Sequence, residues 1–371
     1  MSIYDEVLSF IETPRPELFE SLAVAVFRYQ FQNVPVYRQY CEARGASIER
    51  MKSFTNISFA STVAFKYSTV HNDAEDDSAA ALTFLTSGTT KGFGERGRHV
   101  VPRPQVYRAS AIAHLRRMLF PDGARIAILA LHPTRDIMPE SSLSTMLTWC
   151  IEEFGTENSL CAANRDGVDT TAALDFLDAA ESRNAPVCIL GTTAASAKLF
   201  DAIDLRQRAL QLPTGSRLMD TGGAKGQVIP LTPLQVVARA GATLGIHPSM
   251  VINEYGMTEM CSQSYDATPF NSDLPVRDGY RIKLPPPWLR PIIFDPVTLQ
   301  PLPDGMVGLV GFFDLANVGS ISALMTEDFG MVQDGAVAIL GRAAAGGARG
   351  CALSIDEFAR REMALQDRPP Q

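Results

Sequence analysis

Three segments of the 371-residue chain combine residue types that can do chemistry on an anionic substrate. The first, LTFLTSGTTKGFGERGRH at 82–99, runs an apolar strand into Thr86, Ser87, Gly88, Thr89 and Thr90, with Lys91, Arg96 and Arg98 close behind. Hydroxyls, backbone N–H groups bared by glycine and nearby cations are what a polyphosphate needs. A glycine-rich surface loop with incidental hydroxyls would carry the same residues. The segment is no Walker-type P-loop, because Lys91 is followed by Gly92 rather than Ser or Thr, and GGAKGQ at 222–227 fails in the same way. Its Gly92-x-Gly94-x-x-Gly97 run is no dinucleotide fingerprint, since Pro102 and Pro104 stand where the required helix should continue.

The second segment, MDTGGAKGQ at 219–227, offers Gly222 and Gly223, which allow close backbone approach of a flat ring or simply make a turn. The third, VINEYGMTEMCSQSYD at 251–266, ends an apolar strand in Tyr255 and Gly256 and sets Thr258 beside Glu259. Open α/β sheets bind ligands at that carboxyl end. A carboxylate there suits Mg²⁺, which takes oxygen ligands and substrate phosphates. A fourth candidate is Cys351 in RGCAL at 349–353. Ser354 and Glu357 form a capping-box pattern just after it, and Arg349 precedes it, so a helix N-terminus and a cation lie close to the thiol. Free cysteine is also among the most commonly buried residues. Cys261, near Glu259, is expected to pack beneath the site. His132 and His247 each precede a proline near a strand end and could line a pocket, while Ser141 and Ser142 could contact substrate or begin a helix.

These residues need a scaffold, and the hydrophobic pattern supplies an α/β one. RPELFESLAVAVFRYQFQNV at 15–34 places Leu18, Leu22, Val26 and Phe27 on one helical face, and PVYRQYCEARG at 35–45 ends in a glycine stop, which predicts a helical cap. From 80 to 260 short β-rich runs (ALTFLTS, RIAILAL, PVCILGT, SMVINEYG) alternate with helical stretches, the signature of βα units around a largely parallel sheet. Beyond about 270, short strands separated by Asp-Pro, Pro-Asp-Gly and Asp-Gly turns predict a small strand-rich subdomain. The boundaries are therefore set at 1–270 for the cap and α/β part and 271–371 for the strand-rich part with the Cys351 segment.

Composition narrows the function. With 46% hydrophobic residues and a net charge of -8, the chain can bury a large core and lacks the basic footprint of a nucleic-acid binder. No apolar run approaches the roughly 20 residues of a membrane span. The acidic start MSIYDEVLSFIE is unlike a secretory signal, so a cytoplasmic address is expected. The six cysteines are scattered without metal-ligand spacing and read as free thiols.

Taken in order, TSGTT at 86–90, TGGAKG at 221–226, YGMTE at 255–259, TEDFG at 326–330 and LGR at 340–342 resemble the motifs of the adenylate-forming superfamily. RGCAL and the early FRYQFQNVPVYRQYCEARG at 27–45 are similar to its acyl-protein synthetase branch, related to the fatty-acid component of bacterial luminescence systems. The resemblance implies the N-terminal-domain fold of that superfamily without its usual mobile C-terminal domain. It also implies ATP and Mg²⁺ as cofactors, and a carboxylic, fatty-type acid converted to acyl-AMP. Carried over by position, Thr86, Ser87, Gly88, Thr89, Thr90 and Lys91 would hold the triphosphate, and Tyr255 would pack on adenine beside Gly222, Gly223 and Gly256. Thr258 would meet the acyl phosphate, Glu259 the metal, and Asp328 the ribose with Arg342 assisting. Cys351 would take the acyl group and pass it to an acyl reductase or an acyl-carrier protein. The loop continues Lys-Gly-Phe-Gly-Glu-Arg-Gly-Arg and no lysine follows Lys283, so an arginine of the loop or of a partner is expected to supply the cation that relatives take from a C-terminal lysine. Two other outcomes fit the same motifs: delivery to a diffusible thiol such as coenzyme A, and a nucleotide-binding subunit without catalysis.

Overall fold

Ser2 opens the first helix with a reciprocal cap, its hydroxyl accepting from Asp5 N at 3.2 Å while the Asp5 carboxylate accepts from Ser2 N at 2.9 Å. The computed structural model describes residues 1–48, 51–68, 70–72, 80–86, 96–222, 231–272 and 281–342. Along the chain come α1 (Ile3–Glu12), α2 (Phe19–Asn33), α3 (Pro35–Ala43), β1 (Ala60–Ser61), β2 (Leu82–Leu85), β3 (Arg98–Val101) and α4 (Pro104–Met118). There follow β4 (Ala127–Ala130), α5 (Ser142–Phe154), β5 (Leu160–Cys161), the short pair β6 (Ala163–Asn164) and β7 (Gly167–Val168), α6 (Thr170–Ser182), β8 (Val187–Thr192) and α7 (Thr193–Leu205). The remainder is β9 (Arg217–Thr221), α8 (Pro233–Leu244), β10 (Val251–Tyr255), β11 (Ser264–Asp266), β12 (Ile282–Leu284), β13 (Leu289–Phe294), β14 (Val307–Asp314), β15 (Ala323–Gln333) and β16 (Ala336–Arg342). No helix of the described residues is long and apolar enough to cross a membrane.

The contacts divide the chain into two units, one holding described residues of 1–111, 258–262 and 282–342, the other those of 112–257 and 263–281. This differs from a single cut after 270: the N-terminal helices belong with the strand-rich C-terminal part, because their aromatic side chains pack on it. Phe19 sits edge-on to Phe313 at 6.2 Å and to Phe54 at 5.4 Å, and Phe59 packs against Phe294 at 4.9 Å. Of the predicted face of α2, Leu22, Val26 and Phe27 are buried.

In this first unit β13, β14, β15, β16 and β12 form an antiparallel run, with β1 added parallel to β15. The Asp-Gly turn read from sequence joins β15 to β16: Asp334 and Gly335 have φ of +52° and +77°, as a two-residue hairpin of the primed type needs. β2 was expected among the parallel strands. It instead forms a separate two-stranded hairpin, antiparallel to β3 with Leu85 opposite Arg98. The pairing continues locally past the strands, with Thr86 N donating to Gly97 O at 2.8 Å and Gly97 N to the Thr86 hydroxyl at 2.9 Å.

The second unit carries the predicted parallel sheet, in the order β11-β10-β9-β8-β4-β5, with β11 antiparallel to β10. Register aligns Leu129, Ile189, Leu218 and Val251 in one row across four strands, all fully buried beneath the apolar faces of α6, α7 and α8. Each such side chain contributes roughly 1.5–3 kcal/mol on burial, so this row fixes register against a one-residue slip. Asp169, Thr192 and Thr232 cap α6, α7 and α8 through their side chains.

The connection between β14 and β15 is polar, buried and tied to α2. Gln30 donates through Nε2 to Asn317 O at 2.9 Å, Val318 O at 3.1 Å and Ser322 Oγ at 2.9 Å, and its Oε1 accepts from Ser322 N at 3.1 Å. Replacing Gln30 with Met keeps the volume but strands those carbonyls, and the loss should be about 2–4 kcal/mol by urea denaturation. A change within 0.5 kcal/mol would show that the loop does not depend on α2.

Candidate active site

At the carboxyl edge of the second unit's sheet, β9 delivers Asp220, Thr221 and Gly222, and β10 delivers Glu254, Tyr255 and Gly256. Thr221 lies opposite Glu254 in the ladder, and its hydroxyl donates to the Glu254 carboxylate. Gly222 has φ +87°, a conformation that favours glycine, and a Cβ there would meet nothing within 4 Å among the described residues. A Cβ on Gly256 would strike the Glu254 carboxylate and lie 3.2 Å from Gln263 Cγ, which explains glycine at the exit of β10. Gly222, Tyr255 and Gly256 are thus brought to one edge of adjacent strands.

Two residues at this edge were not singled out from sequence. The Thr193 hydroxyl, in the first turn of α7, donates to Asp220 Oδ2 at 2.6 Å and lies 3.0 Å from Gly222 O. Asp220 is fully buried and its Oδ1 has no hydrogen-bond partner among the described residues; burial pushes its carboxyl up from the usual range. The available signal was a threonine pair after a strand, GTT at 191–193, aligned by the parallel register with DTG at 220–222. Cys161 Sγ donates to Ala163 O at 3.4 Å, while the backbone oxygen of His132, 3.6 Å away, is a second acceptor. His132 Nε2 has no partner among the described residues, and burial lowers the ring to about 4. Ser141 proves to be the N-cap of α5, its hydroxyl accepting from Ser144 N at 3.1 Å.

In the first unit, Thr258–Ser262 is anchored along its backbone. The Thr258 carbonyl lies 2.6 Å from His99 Nδ1, and the Glu259 carbonyl accepts from Asn317 Nδ2 at 2.9 Å. Asp314 accepts from Cys261 N at 2.8 Å and from the Ser262 hydroxyl at 2.6 Å. Asn317 closes the group: Nδ2 also donates to Ile321 O at 2.8 Å, while Oδ1 faces His99 Nε2 at 3.0 Å and accepts from Cys261 Sγ at 3.6 Å. Cys261 is fully buried and its thiol is pushed well above the ordinary value by that burial, so it packs and does not react. Neither His99 nor Asn317 stood out in the sequence, since each lacks a neighbouring motif and acts across the fold.

Thr86 and Arg96 form the base of the glycine-rich loop. The Thr86 hydroxyl accepts from Gly97 N, and the Arg96 guanidinium donates to Thr86 O at 2.7 Å and Leu85 O at 3.3 Å. Arg96 is therefore committed to closing the loop. Ser87, Gly88, Thr89, Thr90, Lys91, Gly223 and Cys351 lie outside the described residues. Asp328 on β15 stands directly opposite Arg342 on β16, as a shared ribose site would require, but Arg342 pairs with Glu327 at 2.6 Å. The Thr326 hydroxyl donates to Val310 O at 2.7 Å and accepts from Asp328 N at 3.0 Å, fixing the strand at that point.

Residues 4–359 match the model of the family described as Acyl-protein synthetase, LuxE. The chain belongs to the acyl-protein synthetase family. Its sequence is 37% identical over 79 residues to the long-chain-fatty-acid–luciferin-component ligase of Vibrio harveyi, covering 19% of this chain and 21% of that protein. It is 31% identical over 87 residues to the ligase of the same name from Aliivibrio fischeri, covering 21% and 23%. The matched stretches thus span less than a quarter of these relatives. Among solved structures, 2-hydroxyisobutyryl-CoA ligase with 2-HIB-AMP and CoA superposes with a TM-score of 0.64 at 15% identity, covering 90% of this chain and 70% of that one. ATP-bound MatB from Rhodopseudomonas palustris is matched over 47% of its length with a TM-score of 0.48. The fold of this chain is that of adenylate-forming enzymes, as the motifs implied.

Burial also sets the protonation of the chain's inner groups. His99 is lowered to about 4 by desolvation, opposed by its contacts with Thr258 and Asn317, and Asp314 is raised to about 6 by desolvation. A histidine with a depressed folded value binds fewer protons than the unfolded chain between about 6.5 and 4, so its contribution is full above 6.5 and is lost as pH falls. Asp314 acts in the opposite sense, its contribution being lost as pH rises through about 6. Ring resonances of His99 and His132 should stay those of neutral imidazole at pH 5.5 in an NMR titration. Midpoints near 6.5 would refute the burial that the fold assigns to them.

Proposed function

We propose that this chain activates a carboxylic acid, of fatty type, with ATP and then carries the acyl group on Cys351. The observation that supports this reading most is the family match over residues 4–359, a span that includes every motif quoted above and Cys351 itself. An acid oxygen attacks the α-phosphorus of ATP, a P–O bond to pyrophosphate breaks, and acyl-AMP remains. The Cys351 thiolate then attacks the acyl carbonyl, AMP leaves with the bonding electrons, and a thioester results. A protein acceptor, an acyl reductase or an acyl-carrier protein, takes the acyl group from there.

The chain's own residues orient and neutralise charge. Gly222 and Gly223 with Tyr255 and Gly256 hold the adenine, Asp328 the ribose hydroxyls with Arg342 beside it, and Thr86 to Lys91 the triphosphate. Thr258 donates to the acyl phosphate. Glu259, a half-buried carboxylate, suits Mg²⁺, which is bound through one or two carboxylates together with substrate phosphates. When bound, that ion neutralises the phosphate oxygens. Among the described residues there is no group of three or more His, Cys, Asp or Glu that could hold a metal.

Acid-dependent exchange of pyrophosphate into ATP tests the first half, across a panel of acids. Glu259→Ala should lower the exchange rate about 100-fold or more. Cys351→Ala should keep exchange and lose the mass shift of self-acylation. Absence of exchange with every acid of the panel, from a chain that still binds ATP, would mean a nucleotide-binding subunit without catalysis; acid-dependent exchange without acylation of wild-type Cys351 would mean a diffusible thiol acceptor.

A further inference from the structure

We infer that Asn317, seconded by His99, is a positioning residue of the reaction: it holds the peptide that carries Thr258 and Glu259. The inference rests on the reading above for what those two side chains do. Its geometric part stands alone. Asn317 is 2% exposed and lies 58 residues from Glu259, yet its amide reaches that carbonyl at 2.9 Å. The orientation of the amide is fixed, because both N–H bonds go to oxygens that can only accept, Glu259 O and Ile321 O. Its Oδ1 is consequently the acceptor that faces His99 Nε2 and the Cys261 thiol.

His99 faces acceptors on both sides, Thr258 O at Nδ1 and Asn317 Oδ1 at Nε2, and a neutral ring has one N–H to give. The bond to Glu259 O is independent of that tautomer, which makes Asn317 the stronger handle of the two. With Asp314 on Cys261 N and the Ser262 hydroxyl, anchors fall on residues 258, 259, 261 and 262. Anchoring at four of five residues restrains this peptide against drift. Placement errors of about an ångström far from the reacting atoms can cost about 100-fold in rate.

A purely structural amide would lower the folded fraction and leave each folded molecule as active as before. The neighbouring Ser320 provides that comparison: its hydroxyl donates from the same loop to Val70 O at 2.6 Å, on the side of a different segment. Full-length wild type, Asn317→Ala and Ser320→Ala are compared in pyrophosphate exchange, with folded protein quantified by circular dichroism, and in amide hydrogen exchange read by mass spectrometry. Asn317→Ala should lower kcat per folded molecule about 100-fold with KM for ATP within threefold, and should speed amide exchange in peptides covering 258–261 while β9 and β10 stay protected. Ser320→Ala should leave kcat within threefold. If Asn317→Ala does not fold, His99→Gln takes its place with a loss of about tenfold. A kcat within threefold of wild type in the Asn317 or His99 variant, or unchanged protection at 258–261, overturns the inference. If wild type shows no pyrophosphate exchange with any acid of the panel, the proposed function falls, and the amide-exchange arm alone decides whether Asn317 fixes this peptide.

Discussion

The buried polar loop between β14 and β15 is the constraint on which the first unit depends. Backbone groups in a buried loop cannot be left to water, so each needs a protein partner. Gln30 from α2 takes the carbonyls of Asn317 and Val318, Asn72 N donates to Gly319 O at 2.9 Å, and Ser320 donates to Val70 O. A Cβ on Gly319 would lie 2.6 Å from Pro102 Cδ and 3.0 Å from Tyr4 Oη, so the neighbouring chain closes over the loop at its barest residue. Through this loop the N-terminal helices, the end of β3 and residues 258–262 are tied to a single set of hydrogen bonds.

The second unit is built on the opposite balance. Its sheet gains from apolar area, and its main buried charge is made tolerable by dense pairing. Arg217 is 1% exposed, forms a two-pronged pair with Asp122 at 2.7 and 3.0 Å, donates to Leu119 O, and lies over the rings of Phe120 and Phe270. Removing Asp122 costs far more than the pair contributes, because the Arg217 charge remains buried in a poor solvent. Polar groups at the carboxyl edge, Asp220 and Glu254 with Thr193 and Thr221, follow directly from the sheet's parallel register.

The chemistry proposed here asks for rigid placement more than for reactive side chains, and the two units provide it differently. The glycines at 222 and 256 leave backbone approachable where strands end, whereas the Thr258–Glu259 peptide is fixed from below by buried side chains. Hydrogen bonds to backbone carbonyls hold a peptide without consuming the side chains it presents.

What the sequence determined by itself was whatever depends on near neighbours in the chain: the apolar face of α2, the Asp334–Gly335 turn, the helix start at Ser141, and the motif run that marks the family. Local spacing writes such features directly, since period and turn chemistry act over a few residues. The tertiary structure alone decided that the N-terminal helices pack with the last strands, that β2 leaves the parallel sheet for a hairpin, and that Arg96 serves the loop's base instead of a phosphate. It alone decided also that His99, Asn317 and Asp314 meet beneath residues 258–262. The hairpin and the Arg96 contact act over short spans, whereas Gln30 meets Asn317 across 287 residues and Asn317 meets Glu259 across 58. A buried polar side chain announces such a partner only when the chain has folded around both.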